Sequence, residues 1–151
     1  MFGKSCFFIG HRDAPDSVAE KLTETIEQHI SDFSADCFTV GNYGRFDQLV
    51  QIALAEAKKR HPDIFIRMAV AYSPALGPVE LPEGFEYIYF PANQRKTPGR
   101  NAIPHLNQTL VKESDFLIAY VCHTSGGSYK LLEYARRREK RGLMQITMLE
   151  A

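Results

Sequence analysis

The chain repeatedly passes from a short apolar run through a glycine turn into a helical stripe, and this order restricts it to very few folds. Cys6-Phe7-Phe8-Ile9 stops at Gly10, and Cys37-Phe38-Thr39-Val40 stops at Gly41. Phe116 to Val121 runs into Cys122-His123-Thr124-Ser125-Gly126-Gly127-Ser128. Continuous apolar runs of this length suit strands buried on both faces. Behind the first run, Ser17-Val18-Ala19-Glu20 has the capping-box pattern, and Val18, Leu22, Ile26 and Ile30 recur every four residues. That pattern predicts an amphipathic helix to about Asp32. Phe46, Val50, Ala53, Leu54 and Ala57 mark a second helix, ended by His61 before a proline.

The remainder continues the alternation. Ile64 to Tyr72 is a third apolar run, and Phe85 to Phe90 suggests a short edge strand inside a proline- and glycine-rich stretch, residues 73–99. So long an irregular stretch in a small domain is more often a functional loop than filler. Ile103, Leu106, Leu110 and Val111 mark a third helix, and residues 129–141 a fourth. Gly142 suits the position just past that helix, ahead of a last strand from Leu143 to Leu149. The reading is one α/β domain, residues 1–151, with a mainly parallel sheet of about five strands, right-handed crossovers and helices on both faces. Ligands of such sheets bind beyond the carboxyl ends of the strands, where all three glycine turns fall.

Composition narrows the partners. Lys+Arg and Asp+Glu are 18 each, so no global field recruits nucleic acid or an anionic membrane. No run approaches membrane-spanning length, and Cys6 to Ile9 is too short for a secretory core. The three cysteines, Cys6, Cys37 and Cys122, lack metal-ligand spacing and are expected to be reduced core thiols of a cytoplasmic protein. No metal and no cofactor is expected. A homo-oligomer is left open by the apolar content of the helices.

The turns carry the chemistry. In Gly10-His11-Arg12, Arg12 can clamp a phosphate or carboxylate and His11 can donate to it; the alternative is a surface turn with a solvated arginine. The spacing differs from G-x-G-x-x-G, so a nicotinamide cofactor is not expected. In Gly41-Asn42-Tyr43-Gly44-Arg45-Phe46-Asp47, the glycines permit close backbone approach and Tyr43 can stack on a base or sugar. Asp47 can accept from ribose hydroxyls or simply complement a helix dipole, and Phe46 is expected in the core. Ser125-Gly126-Gly127-Ser128 at a helix start is a phosphate cradle, the alternative being a mobile surface turn. Glu133 is near enough to that helix start to reach a pocket, or to pair with Arg136 or Arg137 on the surface. The basic run Arg136-Arg137-Arg138-Glu139-Lys140-Arg141 is read as a solvated helix end rather than a nucleic-acid patch.

Taken together, Phe8-Ile9-Gly10-His11-Arg12, Val40 to Asp47, and Ser114-Asp115 to Ala119 leading into Gly126-Gly127-Ser128 resemble the SLOG superfamily, in particular its YpsA-like bacterial proteins. Their pattern is approximately T-G-H-R, G-G-x-x-G-F-D and S-D-x-x-I-A with G-G-T. The resemblance covers about Cys6 to Ala135. It implies a Rossmann-like three-layer fold and a nucleotide-derived ligand held by Gly10, His11, Arg12, Gly41, Gly44, Asp47, Gly126, Gly127 and Ser128. Asn107 matches the asparagine of the family's Arg-Asn pair. The superfamily includes the single-strand DNA-binding DprA proteins and the LOG phosphoribohydrolases, which cleave nucleoside monophosphates at the glycosidic bond. Three readings follow: a nucleotide-binding sensor or regulator, an N-glycosidic hydrolase with Glu133 as general acid/base, or a DNA binder. Asn42 replaces a family glycine, Leu106 stands in the place of the hydrolases' arginine, and Tyr129-Lys130 replaces Gly-Thr. The neutral charge and lack of an aromatic-basic stripe disfavour DNA.

Overall fold

The computed structural model describes residues 3–97 and 99–150. Among them six strands form one sheet: β1 (Ser5–Gly10), β2 (Cys37–Val40), β3 (Phe65–Ala69), β4 (Tyr87–Tyr89), β5 (Phe116–Tyr120) and β6 (Gln145–Met148). Their order is β4-β3-β2-β1-β5-β6, with every neighbouring pair parallel. The helices are α1 (Val18–Ser31), α2 (Arg45–Arg60), α3 (Ala102–Glu113) and α4 (Gly127–Lys140). The sixth strand beyond the expected five is β4, the edge strand suggested by Phe85 to Phe90.

Successive side chains of a strand point to opposite faces, and β1 divides its apolar run accordingly. Cys6 and Phe8 join Val18, Leu22 and Ile26 of α1 and Phe46, Val50 and Leu54 of α2 in one core. Phe7 and Ile9 join Leu106 and Leu110 of α3 and Leu132 and Ala135 of α4 in the other. The result is a three-layer, Rossmann-like α/β fold. From β1 the chain steps through β2 and β3 to β4, then returns past β1 to β5 and β6. The helix-bearing crossovers change face at that reversal, as crossovers of a single hand require. The reversal opens a crevice beyond the carboxyl ends of β1 and β5.

Four local expectations are corrected. Ser17 does not cap α1: its own backbone is helical (φ −61°, ψ −16°), and the Val18 and Ala19 N–H groups donate to the Pro15 and Asp16 carbonyls. The third strand ends at Ala69 rather than Tyr72. Helix α4 starts at Gly127, two residues early, which puts Gly127 and Ser128 in its first turn. Cys6 and Cys37 are free buried thiols as expected, but Cys122 is exposed because β5 stops at Tyr120 and leaves it in the following loop. Gly142 does adopt the left-handed conformation after α4, with φ 73°. No helix among the described residues is long and apolar enough to cross a membrane.

Candidate functional site

The crevice holds a cleft of about 820 Å³. Its floor is the end of β1, where Gly10 is glycine by necessity: a Cβ there would lie 2.3 Å from the Phe46 ring. Phe46 is core, as expected, and stacks on Tyr120 of β5 at 6.3 Å. The β2–α2 turn is pressed against the β1–α1 turn. Gly44, at φ 135°, would put a Cβ 2.8 Å from the Arg12 Cα, and the Arg45 N–H donates to the Arg12 carbonyl at 2.8 Å. A buried Gln51 braces the same turn, its Nε2 donating to the Gly41 carbonyl at 2.9 Å and to Asn42 Oδ1 at 3.3 Å.

Asp47 is the carboxylate of the cleft lining. Its Oδ2 accepts the Tyr43 N–H at 3.0 Å and would stand 2.9 Å from a Cβ on Gly41. Burial pushes its pKa up to about 6, against the Tyr43 hydrogen bond and the charge of Arg12. Tyr43 also lines the cleft, but its hydroxyl is anchored by accepting the Ala71 N–H at 2.8 Å. The ring is therefore a fixed wall. On the opposite side Ser128 Oγ donates to the Gly10 carbonyl at 3.3 Å, fastening the start of α4 to the end of β1. Gly127 lines the cleft, and a Cβ on it would meet nothing within 4 Å.

Of the residues singled out in the sequence, the fold gathers Gly10, Arg12, Gly41, Tyr43, Asp47, Asn107, Gly127 and Ser128 around this cleft. It leaves His11, Asn42, Gly44, Ser125 and Gly126 outside the lining. Gly44 and Gly126 serve the turns through positive φ values of 135° and 96°. His11 is buried, and its Nε2 accepts the Cys122 N–H at 2.9 Å, tying the β1 turn to the β5 turn rather than facing the cleft. Burial first, and His123 second, lower its pKa from the ordinary histidine value, against the charge of Asp13. Glu133 is exposed, stands outside the lining and makes no salt bridge among the described residues. Arg95 and Arg100 are also outside it, and Leu106 is core.

The cleft includes residues that sequence reasoning missed. Lys96 and Thr97 reach it from the long loop, Asn101 from the turn before α3, and Lys130, Tyr134 and Arg137 from α4. Buried Gln94 sets the loop side: its Nε2 donates to the Ala71 and Ala102 carbonyls, and its Oε1 pairs with His105 Nδ1 at 2.7 Å. Arg137, read from sequence as part of a solvated end, lines the cleft with its guanidinium 5.8 Å from the Tyr134 ring centre. Four cations, Arg12, Lys96, Lys130 and Arg137, thus share a lining with one carboxylate. Gly127, Ser128 and the first-turn N–H groups of α4 add the positive end of a helix dipole. Such a surround favours an anion, with apolar walls from Ile103, Pro104 and Leu131 for a less polar body.

These features define a Rossmann-like α/β protein with a cationic cleft at the switch point of its sheet. No family model and no curated protein matches the chain.

Proposed function

We propose that the protein binds a phosphate-bearing, nucleotide-like small molecule in the switch-point cleft and acts as a sensor or regulator, as its resemblance to the YpsA-like SLOG proteins implies. The observation that carries this reading is that Arg12, Lys96, Lys130 and Arg137 line the same cleft as Gly127 and Ser128 in the first turn of α4. A phosphate seats against that turn and its cationic rim, while Tyr43, Ile103 and Pro104 flank the remainder of the ligand. Asp47 is placed to accept from sugar hydroxyls. The free thiols Cys6 and Cys37 fit a cytoplasmic setting.

A binding role is favoured over glycosidic hydrolysis because Glu133 lies outside the lining and Leu106 can supply neither charge nor hydrogen bond. Cleavage needs a proton donor or a stabilised cation at the sugar as well as a phosphate clamp. The test is chromatography of nucleoside monophosphates incubated with the protein, beside mass spectrometry of small molecules that co-purify with it. A nucleotide-like companion and no release of free base are expected. Base release at ordinary enzymatic turnover, abolished by Glu133→Gln, would make the protein a hydrolase.

A further inference from the structure

We propose that His11, Cys122 and His123 form a binding site for a borderline-to-soft divalent metal ion, with zinc the first candidate. One ligand atom from each side chain lies within 4.8 Å of the others, and the two imidazole rings stand 4.3 Å apart between centroids. Two imidazoles and a thiolate are the donor set that zinc takes in preference to magnesium or calcium. The fold assembles the set from residues 111 positions apart. His11 follows β1, Cys122 and His123 follow β5, and the β1–β5 pairing that sets Gly10 opposite Tyr120 lays the two loops side by side.

The local chemistry suits a metal. Coordination needs an imidazole nitrogen with a free lone pair, and His11 Nε2 presents one, since it accepts the Cys122 N–H at 2.9 Å. The charge of Asp13 also reaches His11 and adds a favourable field for a cation. Cys122 and His123 are exposed, which gives the ion a path from solvent. On capture the Cys122 thiol releases its proton to water, and His11 exchanges the hydrogen bond from the Cys122 N–H for a coordinate bond. Three protein ligands leave a fourth position for water or an atom of a bound molecule. The ion bridges the loop carrying Arg12 to the loop that leads into Gly127 and Ser128, and so fixes two sides of the cleft. This site stands independently of the nucleotide reading.

Titration of the full chain with Co²⁺ tests it. The expected result is one equivalent bound, with a near-ultraviolet thiolate-to-cobalt charge-transfer band and the visible bands of a four-coordinate ion, all removed by an equivalent of zinc. Cys122→Ala is expected to abolish the charge-transfer band. His123→Ala is expected to weaken binding at least about tenfold, the scale already reached when only a supporting partner of a metal ligand is lost. Both side chains are exposed, and unchanged circular dichroism verifies that the variants remain folded. Absence of saturable binding, binding without the thiolate band, or a band that survives Cys122→Ala overturns the proposal.

Discussion

Gly10 and Gly127 both border the cleft, yet they lack a side chain for opposite reasons. At Gly10 the Phe46 ring already fills the space, whereas at Gly127 the space is open. Gly10→Ala is therefore expected to cost about 1–3 kcal/mol through overpacking, read as a lowered denaturation midpoint. Gly127→Ala is expected to stabilise the protein by about 0.4–1 kcal/mol by restricting the unfolded chain, while its methyl group impairs anion binding. Equal destabilisation of the two variants would contradict this division. Asp47 gives a pH signature. Its pKa of about 6 in the fold against an ordinary 3.8 means that the native state holds the proton more tightly than the unfolded chain. Below 3.8 both states are protonated and the shift has no effect on stability. As pH rises towards about 6 the unfolded chain ionises first and stability falls, and the full cost persists above that. The cost is at most about 3 kcal/mol, at about 1.4 kcal/mol per pKa unit. Asp47→Asn keeps an oxygen for the Tyr43 N–H and removes the charge. Its stability is expected to exceed that of the native chain at pH 7 and to converge with it below the ordinary carboxylate range. Parallel stability curves for the two across that range would show that Asp47 carries no such penalty.

At the scale of elements, burial and periodicity made most of the fold legible. Strands β1, β2 and β5 and the ends of α1, α2 and α4 lie within about two residues of their expected positions, because an apolar run before a glycine and a stripe at helical spacing both report burial directly. Strand β3 was overextended for a reason that lies elsewhere in the chain. The Ala71 N–H goes to the Tyr43 hydroxyl and the Ala71 carbonyl to Gln94, which draws that apolar segment off the ladder. The cleft was legible at its glycines and less so on α4. Gly127, Lys130, Leu131, Tyr134 and Arg137 share one stripe at helical spacing, but Arg137 sits in a run of arginines whose ordinary fate is solvation. Its neighbour Arg136 is exposed, as Arg137 is, but stands outside the lining. Arg137→Glu is accordingly expected to weaken binding of a nucleoside phosphate at least about tenfold, as loss of a charge-assisted contact does, and Arg136→Glu to leave it nearly unchanged. Calorimetry of the two variants with the same nucleoside monophosphate distinguishes them, and equal losses would return Arg137 to the solvated end. The partnership of His11 with Cys122 could not be read at all, since only the β1–β5 register brings them together.

For the whole molecule, the balance of 18 basic and 18 acidic residues conceals a local imbalance. One cleft collects four cations and one carboxylate, so any pull on an anion is short-ranged and depends on the two loops and α4 holding their relative positions. Arg12 is the member of this set that belongs to the β1 turn, and its guanidinium makes no hydrogen bond or salt bridge among the described residues. Calorimetric titration of a nucleoside monophosphate and of its nucleoside, into the native chain and into Arg12→Ala, therefore bears most directly on phosphate recognition at the switch point. The expected result is a clear preference of the native chain for the phosphorylated ligand. Arg12→Ala should then lose roughly tenfold to a hundredfold of affinity for that ligand alone, since charge-assisted hydrogen bonds contribute about 1.5–3 kcal/mol. Equal affinity of the native chain for both ligands, or an equal loss for both on substitution, would contradict a phosphate site at this cleft.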